Sequence, residues 1–121
     1  MKTCLVVDDS SVVRKVARRI LEGMQFEISE AEDGQQALDM CRAGLPDVVL
    51  LDLDMPRMDG MTFIKEMRNL PGGLSPKVVF CTTERNVRDI NRVLDAGADA
   101  YILKPFDKDI VEAKFHSAGL V

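Results

Sequence analysis

Four short polar clusters carry residue types that could do chemistry: Asp8-Asp9-Ser10, Asp52-Leu53-Asp54, Thr82-Thr83-Glu84 and Lys104-Pro105. Asp52 follows the apolar run Val48-Val49-Leu50-Leu51, which reads as a strand buried on both faces, so its carboxylate is delivered where the strand leaves the core. Pro56 cannot continue a central strand, and Asp59-Gly60 marks a turn before the next helix. An acid in that place can be a nucleophile, a metal ligand or a turn residue. Asp8, Asp9 and Asp52 are expected to converge. Two carboxylates about 4 Å apart repel by roughly 4 kcal/mol at an effective dielectric of 20, so a trio needs a cation or protonation. All-oxygen ligands favour Mg²⁺ or Ca²⁺, and an open site with few carboxylates, completed by waters and a phosphoryl oxygen, favours Mg²⁺. The spacing of a calcium-binding loop is missing around Asp52. A carboxylate can also attack phosphorus and become an acyl phosphate. The charge on the phosphoryl oxygens then calls for a metal, a cation and a hydroxyl donor, and Lys104 and Thr82 are the right types for the last two.

The elements that must position these groups follow from the hydrophobic pattern. Short apolar runs recur at Thr3–Val7, Glu27–Ala31, Val48–Leu51, Val78–Cys81 and Ala100–Leu103, with helical periodicity between them. In the first helix Val12, Val16 and Ile20 form one stripe flanked by Val13, Ala17 and Leu21, with Arg14, Lys15, Arg18 and Arg19 largely opposite. The second runs from about Gly34 to Ala43, the third from Gly60 to Asn69, the fourth from Asn86 to Ala96, and the last starts at Asp107 with Val111, Phe115 and Ala118 inward. Regular alternation of strand and helix makes βαβ units, hence an α/β fold around a five-stranded parallel sheet with right-handed crossovers. Such sheets form sites beyond the carboxyl ends of their strands. Four of the five strand ends carry acid, hydroxyl or amine groups. The exception is Glu32-Asp33-Gly34 after strand two, which reads as an ordinary helix start.

Over its whole length the chain resembles the response-regulator receiver domains of the stand-alone, CheY-like kind. The matching pieces are Val6-Val7-Asp8-Asp9-Ser10, Leu50-Leu51-Asp52, Met55 through Gly60, Thr82-Thr83-Glu84, Ala96-Gly97-Ala98 and Lys104-Pro105-Phe106, in order and at the expected spacing. The resemblance implies a flavodoxin-like (βα)5 fold, doubly wound, with helices on both faces. Its strand order 2-1-3-4-5 is that of CheY itself and is taken from the resemblance. It further implies a single-domain response regulator of a two-component phosphorelay, in which Asp52 accepts a phosphoryl group from a sensor histidine kinase or a histidine phosphotransfer protein. Mg²⁺ would be held by Asp9, Asp52 and the backbone carbonyl of Asp54, with Asp8 acting through water. Thr82 would bond a phosphoryl oxygen and Lys104 would pair with it. Thr82 and Tyr101 would form the switch, and the bond before Pro105 would be cis. Thr83 is bulkier than the small residue often found there; with Asp54 and Glu84 it is expected to tune self-hydrolysis. Such a chain is no turnover enzyme but a phosphoacceptor with self-catalysed transfer and slow dephosphorylation.

Plainer readings stand beside these. Thr82 could cap a helix, Tyr101 could be half-buried packing, and the Arg14-Lys15/Arg18-Arg19 cluster could be a solvated face rather than a dock for an acidic helix. His116, the only histidine, reads as an exposed structural residue. A phosphate shuttle or sink in a relay is an alternative to a terminal switch. Leu50 to Asp54 also satisfies the strand-D-x-D start of a haloacid-dehalogenase-type phosphatase, although that family opens with the motif near its N-terminus.

Composition limits the rest. The 121 residues, 46% apolar, suit one domain over residues 1–121 without an effector domain, so the expected output is a protein-binding surface facing an unidentified downstream target. The net charge of −4 argues against direct nucleic-acid binding. No apolar run reaches membrane-spanning length and no signal-peptide pattern is present, which leads to the expectation of a cytoplasmic protein, a monomer or weak dimer. Cys4, Cys41 and Cys81 are odd in number and sit in apolar or helical patterns, as expected of reduced buried thiols.

Overall fold

The computed structural model describes residues 2–53, 55, 58–83 and 87–121. Asp54, whose carbonyl the resemblance makes a metal ligand, and Glu84, which with Asp54 is expected to tune self-hydrolysis, lie outside the described residues. The strands are β1 (Thr3–Val7), β2 (Glu27–Ala31), β3 (Val48–Asp52), β4 (Lys77–Thr82) and β5 (Ala100–Leu103). The helices are α1 (Ser11–Gly23), α2 (Gly34–Ala43), α3 (Gly60–Arg68), α4 (Val87–Asp95) and α5 (Lys108–Ser117). All strand pairs are parallel, in the order β2-β1-β3-β4-β5. The expected doubly wound α/β architecture is therefore present.

Strand pleating divides the core in two. Leu5, Val7, Val49, Leu51, Val78 and Phe80 face α2, α3 and α4, where Leu38, Phe63, Ile64, Met67 and Ile90 meet them. Cys4, Val6, Leu50, Val79, Cys81 and Ile102 face α1 and α5, meeting Ala17, Leu21, Val111 and Phe115. The central strand β3 is buried at every position, as a strand covered on both faces must be.

Helix starts are fixed by side chains that the sequence supplies in the right places. Ser10, Asp33, Asp59 and Asp107 cap α1, α2, α3 and α5 by accepting from the backbone N–H three residues on. The apolar stripe of α1 is rotated from the expected one. Ala17 and Leu21 are buried, whereas Val12 and Val16 are 69% and 45% exposed. The reason is that α1 has apolar residues over too wide an arc for one flat sheet to cover. The sheet takes the Ala17–Leu21 line, leaving Val12 and Val16 on one flank and Arg14 and Arg18 on the other.

Arg68, at the end of α3, ties the far end of the sheet together. Its guanidinium donates to the carbonyls of Gly73 (3.0 Å), Pro76 (2.6 Å) and Gly97 (2.6 Å), and pairs with Asp99 at 3.2 Å. Gly97 has φ +125°, a conformation that favours glycine, and a Cβ there would press on Arg68 Cγ and Nε at 3.2 Å. Replacing Arg68 with Met strands those carbonyls, and urea unfolding should show a loss of about 2–4 kcal/mol.

Candidate functional site: an acidic cluster at the strand ends

Pleat parity decides which acids meet. Asp8 continues the Cys4–Val6 side of β1, and Asp52 continues the Val48–Leu50 side of β3; β1 and β3 are neighbours, so both carboxylates emerge on the α1/α5 face. Asp9, in the turn that follows, is exposed. One carboxylate oxygen from each of Asp8, Asp9 and Asp52 lies within 4.8 Å of the others. Asp8 and Asp52 are each only 4% exposed. The Asp8 carboxylate accepts the Ser10 N–H at 2.9 Å, which fixes the turn carrying Asp9.

Lys104, after β5, reaches across the end of β4. Its Nζ lies 2.8 Å from Asp52 Oδ1 and 3.8 Å from Asp8 Oδ2. Among the described residues, one ammonium stands against three carboxylates. The peptide bond between Lys104 and Pro105 is cis, as the resemblance implied. Behind the acids, Val13, Ala17, Cys81 and Phe106 close the site from the core side.

Thr82 ends β4 on the other pleat, 3% exposed, beside Leu53, Phe80 and Thr83 at a cleft of about 480 Å³ against α4. Thr83 is exposed and also borders the groove formed by Val12, Val16, Lys104 and Phe106. Tyr101 is half-buried in β5. Its ring lies 5.9 Å from that of Phe80, and Lys114 Nζ stands 5.0 Å from its centroid. His116 is exposed in the last turn of α5, and Asp33 serves as a helix cap, both as expected.

The start of α3 presses against the site from below. A Cβ on Gly60 would lie 2.9 Å from Leu53 Cα and 3.0 Å from the Asp52 carbonyl oxygen. Any larger residue must displace the backbone that carries Asp52.

Burial, above all, raises the Asp8 carboxyl above its ordinary value; the Ser10 N–H opposes this, Asp52 adds to it, Lys104 opposes it, and Asp9 adds to it. Burial alone would lower the Lys104 ammonium, but its bond to Asp52 and the charges of Asp52 and Asp8 outweigh that and raise it. The thiols of Cys4 and Cys81 are pushed up to about 12 and that of Cys41 to about 11, chiefly by burial, and all three are unbridged. They stay protonated and inert near neutrality.

The profile described as "Response regulator receiver domain" matches residues 4–116. The chain belongs to that family. The receiver domain is 39% identical over 111 residues to the chemotaxis protein CheY of Halobacterium salinarum, covering 91% of this chain and 90% of that protein. It is also 39% identical over 102 residues to the response regulator MprA of Mycolicibacterium vanbaalenii, but that match covers 84% of this chain and only 43% of the regulator. Its fold superposes on CheY4 of Vibrio cholerae with a TM-score of 0.92, 27% identity and 98% coverage of each chain. Receiver domains are signalling phosphoacceptors and bind Mg²⁺ in an acidic site. The donor set fits that ion: it is all oxygen, net negative and open on the Asp9 side. No helix among the described residues is long and apolar enough to cross a membrane.

The basic cluster of α1 is not one surface. Lys15 and Arg19 are exposed, but Arg14 and Arg18 turn to Glu30 on β2, at 3.1 and 2.8 Å. Arg14 also donates to the Asp8 carbonyl at 2.6 Å. The signal was present: Ile28 packs toward α1, and Glu30 has the same strand parity, so an acid faces that helix and needs a cation.

The sign of a pH effect follows from the raised Asp8 carboxyl. From pH about 3.8 upward to its raised value, the folded state holds more protons than the unfolded chain, so stability falls as pH rises through that window. Without divalent ions, Asp8→Asn should therefore be more stable than the wild type in urea unfolding at neutral pH. The difference should vanish below pH about 3.8.

Proposed function

We propose that this receiver domain takes a phosphoryl group onto Asp52 from a phosphohistidine of a sensor kinase or phosphotransfer protein, and that the change at Asp52 alters a protein-binding surface. The observation that carries this reading is the convergence of Asp8, Asp9 and Asp52 with Lys104 Nζ 2.8 Å from the Asp52 carboxylate. In the transfer, a carboxylate oxygen of Asp52 forms a bond to phosphorus while the bond from phosphorus to the imidazole nitrogen breaks, and the imidazole leaves. Asp9, Asp52 and the Asp54 carbonyl, with Asp8 acting through water, would hold Mg²⁺, which would supply positive charge to the phosphoryl oxygens. Lys104 is poised to pair with those oxygens, and the Thr82 hydroxyl to donate to one of them.

Thr82 and Phe80 border the same cleft against α4, and Phe80 meets Tyr101, which supports coupling from the phosphoryl group to Tyr101. The surface that would change is the one formed by α4, β5 and α5. Donor docking fits the apolar groove of Val12, Val16, Pro105 and Phe106, because it borders Lys104 and therefore the phosphoryl position. Thr83, exposed beside the site, narrows the approach of water, so Thr83→Ala should shorten the phosphoryl lifetime. The equivalent contributions of Asp54 and Glu84 belong to the same proposal. A relay shuttle uses the same chemistry and differs only in passing the group onward.

Phosphotransfer from a panel of kinases tests the reading. The wild type should take up one phosphoryl group per chain with Mg²⁺, Asp52→Asn none, and Lys104→Met should lose at least about tenfold in rate. Continued turnover of a simple phosphomonoester would instead indicate a phosphatase. Val16→Asp should slow transfer from a protein donor while leaving transfer from a small-molecule donor unchanged.

A further inference from the structure

The ion pair of Arg14 and Glu30 stands outside the phosphoryl chemistry yet touches the backbone that carries it. Arg14 is 15% exposed, on the flank of α1 that faces β2. Its Nε pairs with Glu30 Oε1 at 3.1 Å, and Nη1 donates to the Asp8 carbonyl at 2.6 Å. The Asp8 N–H donates to the Ala31 carbonyl at 3.1 Å, so β2 holds the peptide unit before the Asp8 Cα and Arg14 holds the one after it. Glu30 is kept ionised, its carboxyl below the usual range chiefly because of Arg18, which pairs with Oε2 at 2.8 Å. A partly buried guanidinium near a cation site is a cost to the cation unless its charge is balanced, and Glu30 balances it.

We propose that Arg14, anchored by Glu30, is a positioning residue for the divalent cation: it fixes the peptide between Asp8 and Asp9 so that the carboxylates of both meet that of Asp52. The inference rests on the metal reading above. Groups that orient metal ligands without touching the metal commonly change affinity by about tenfold or more when removed. Arg18 shares Glu30 but makes no contact with Asp8 among its hydrogen bonds, and so provides an internal control.

Electrostatics and positioning give opposite signs here. Removing a cation near the site should tighten Mg²⁺ binding by Coulomb's law alone, whereas losing the bond to the Asp8 carbonyl should weaken it. Calorimetric titration of the full chain with Mg²⁺ reads the difference, with thermal unfolding checking that each variant is folded. Arg14→Met should weaken Mg²⁺ binding about tenfold. Arg14→Lys, which keeps the charge but cannot span both acceptors, should fall between that variant and the wild type, and Arg18→Met, which leaves the Arg14 bond to the Asp8 carbonyl in place, should lose clearly less than Arg14→Met. Unchanged or tighter binding in folded Arg14→Met overturns the proposal, as does an equal loss in Arg18→Met. If Arg14→Met does not fold, Arg14→Lys decides by the same comparison. If the wild type itself shows no saturable binding, the metal reading fails, and the positioning role fails with it.

Discussion

Mutual repulsion of the carboxylates at the ends of β1 and β3 is the constraint on which the rest of this structure depends. Asp8 and Asp52 are almost fully buried, and among the described residues the Lys104 ammonium, 2.8 Å from Asp52, partly offsets them. A chain selected only for stability would not keep such a group; a well-packed apolar residue would serve better. The surrounding fold can be understood as the means of holding that unfavourable cluster in one geometry. Apolar side chains on both faces of β3 pin Asp52, the Ser10 cap and N–H pin the Asp8 turn, and Gly60 lets α3 close under the strand end.

Strand order matters as much as residue type. Placing β1 beside β3 brings the acids together, while β4 and β5 bring Thr82 and Lys104 to the same edge from the other direction. Lys104 starts two strands away from Asp52, and only a long side chain can cross that interval. The pleat then sorts the groups. Asp8 and Asp52 emerge toward α1 and α5, whereas Thr82 shares its face with Phe80 and Tyr101. On the proposed reading, that division would let a charge change at Asp52 act on the opposite side of the sheet through Thr82 at the strand end.

Most of this arrangement was legible in the residues. The apolar runs located every strand to within a residue at either end; β1, β3 and β4 are covered on both faces and so are nearly all apolar, whereas the edge strand β2 carries Glu27, Ser29 and Glu30. Polar groups after four of the five strand ends marked the site, because parallel strands all deliver their ends to the same edge. The strand order came from resemblance, since the pattern of apolar runs does not say which strand lies beside which. The rotation of α1 was not legible: its apolar arc exceeds what the sheet covers, and only packing decides which part is left outside. Arg14 was grouped with Lys15, Arg18 and Arg19 as one basic face. The acid that separates them, Glu30, lies in a different element, and its orientation required the parity of β2 to be combined with the rotation of α1.

If the acidic cluster is held in readiness for a cation, then the cation must stabilise the fold by relieving the repulsion. The most direct measurement is the unfolding free energy as a function of Mg²⁺ concentration at fixed ionic strength. The account predicts that stability rises with Mg²⁺ by about 1.4 kcal/mol for each tenfold increase above the dissociation constant, and that Asp52→Asn largely loses this dependence. A wild-type stability that does not change with Mg²⁺ would contradict it.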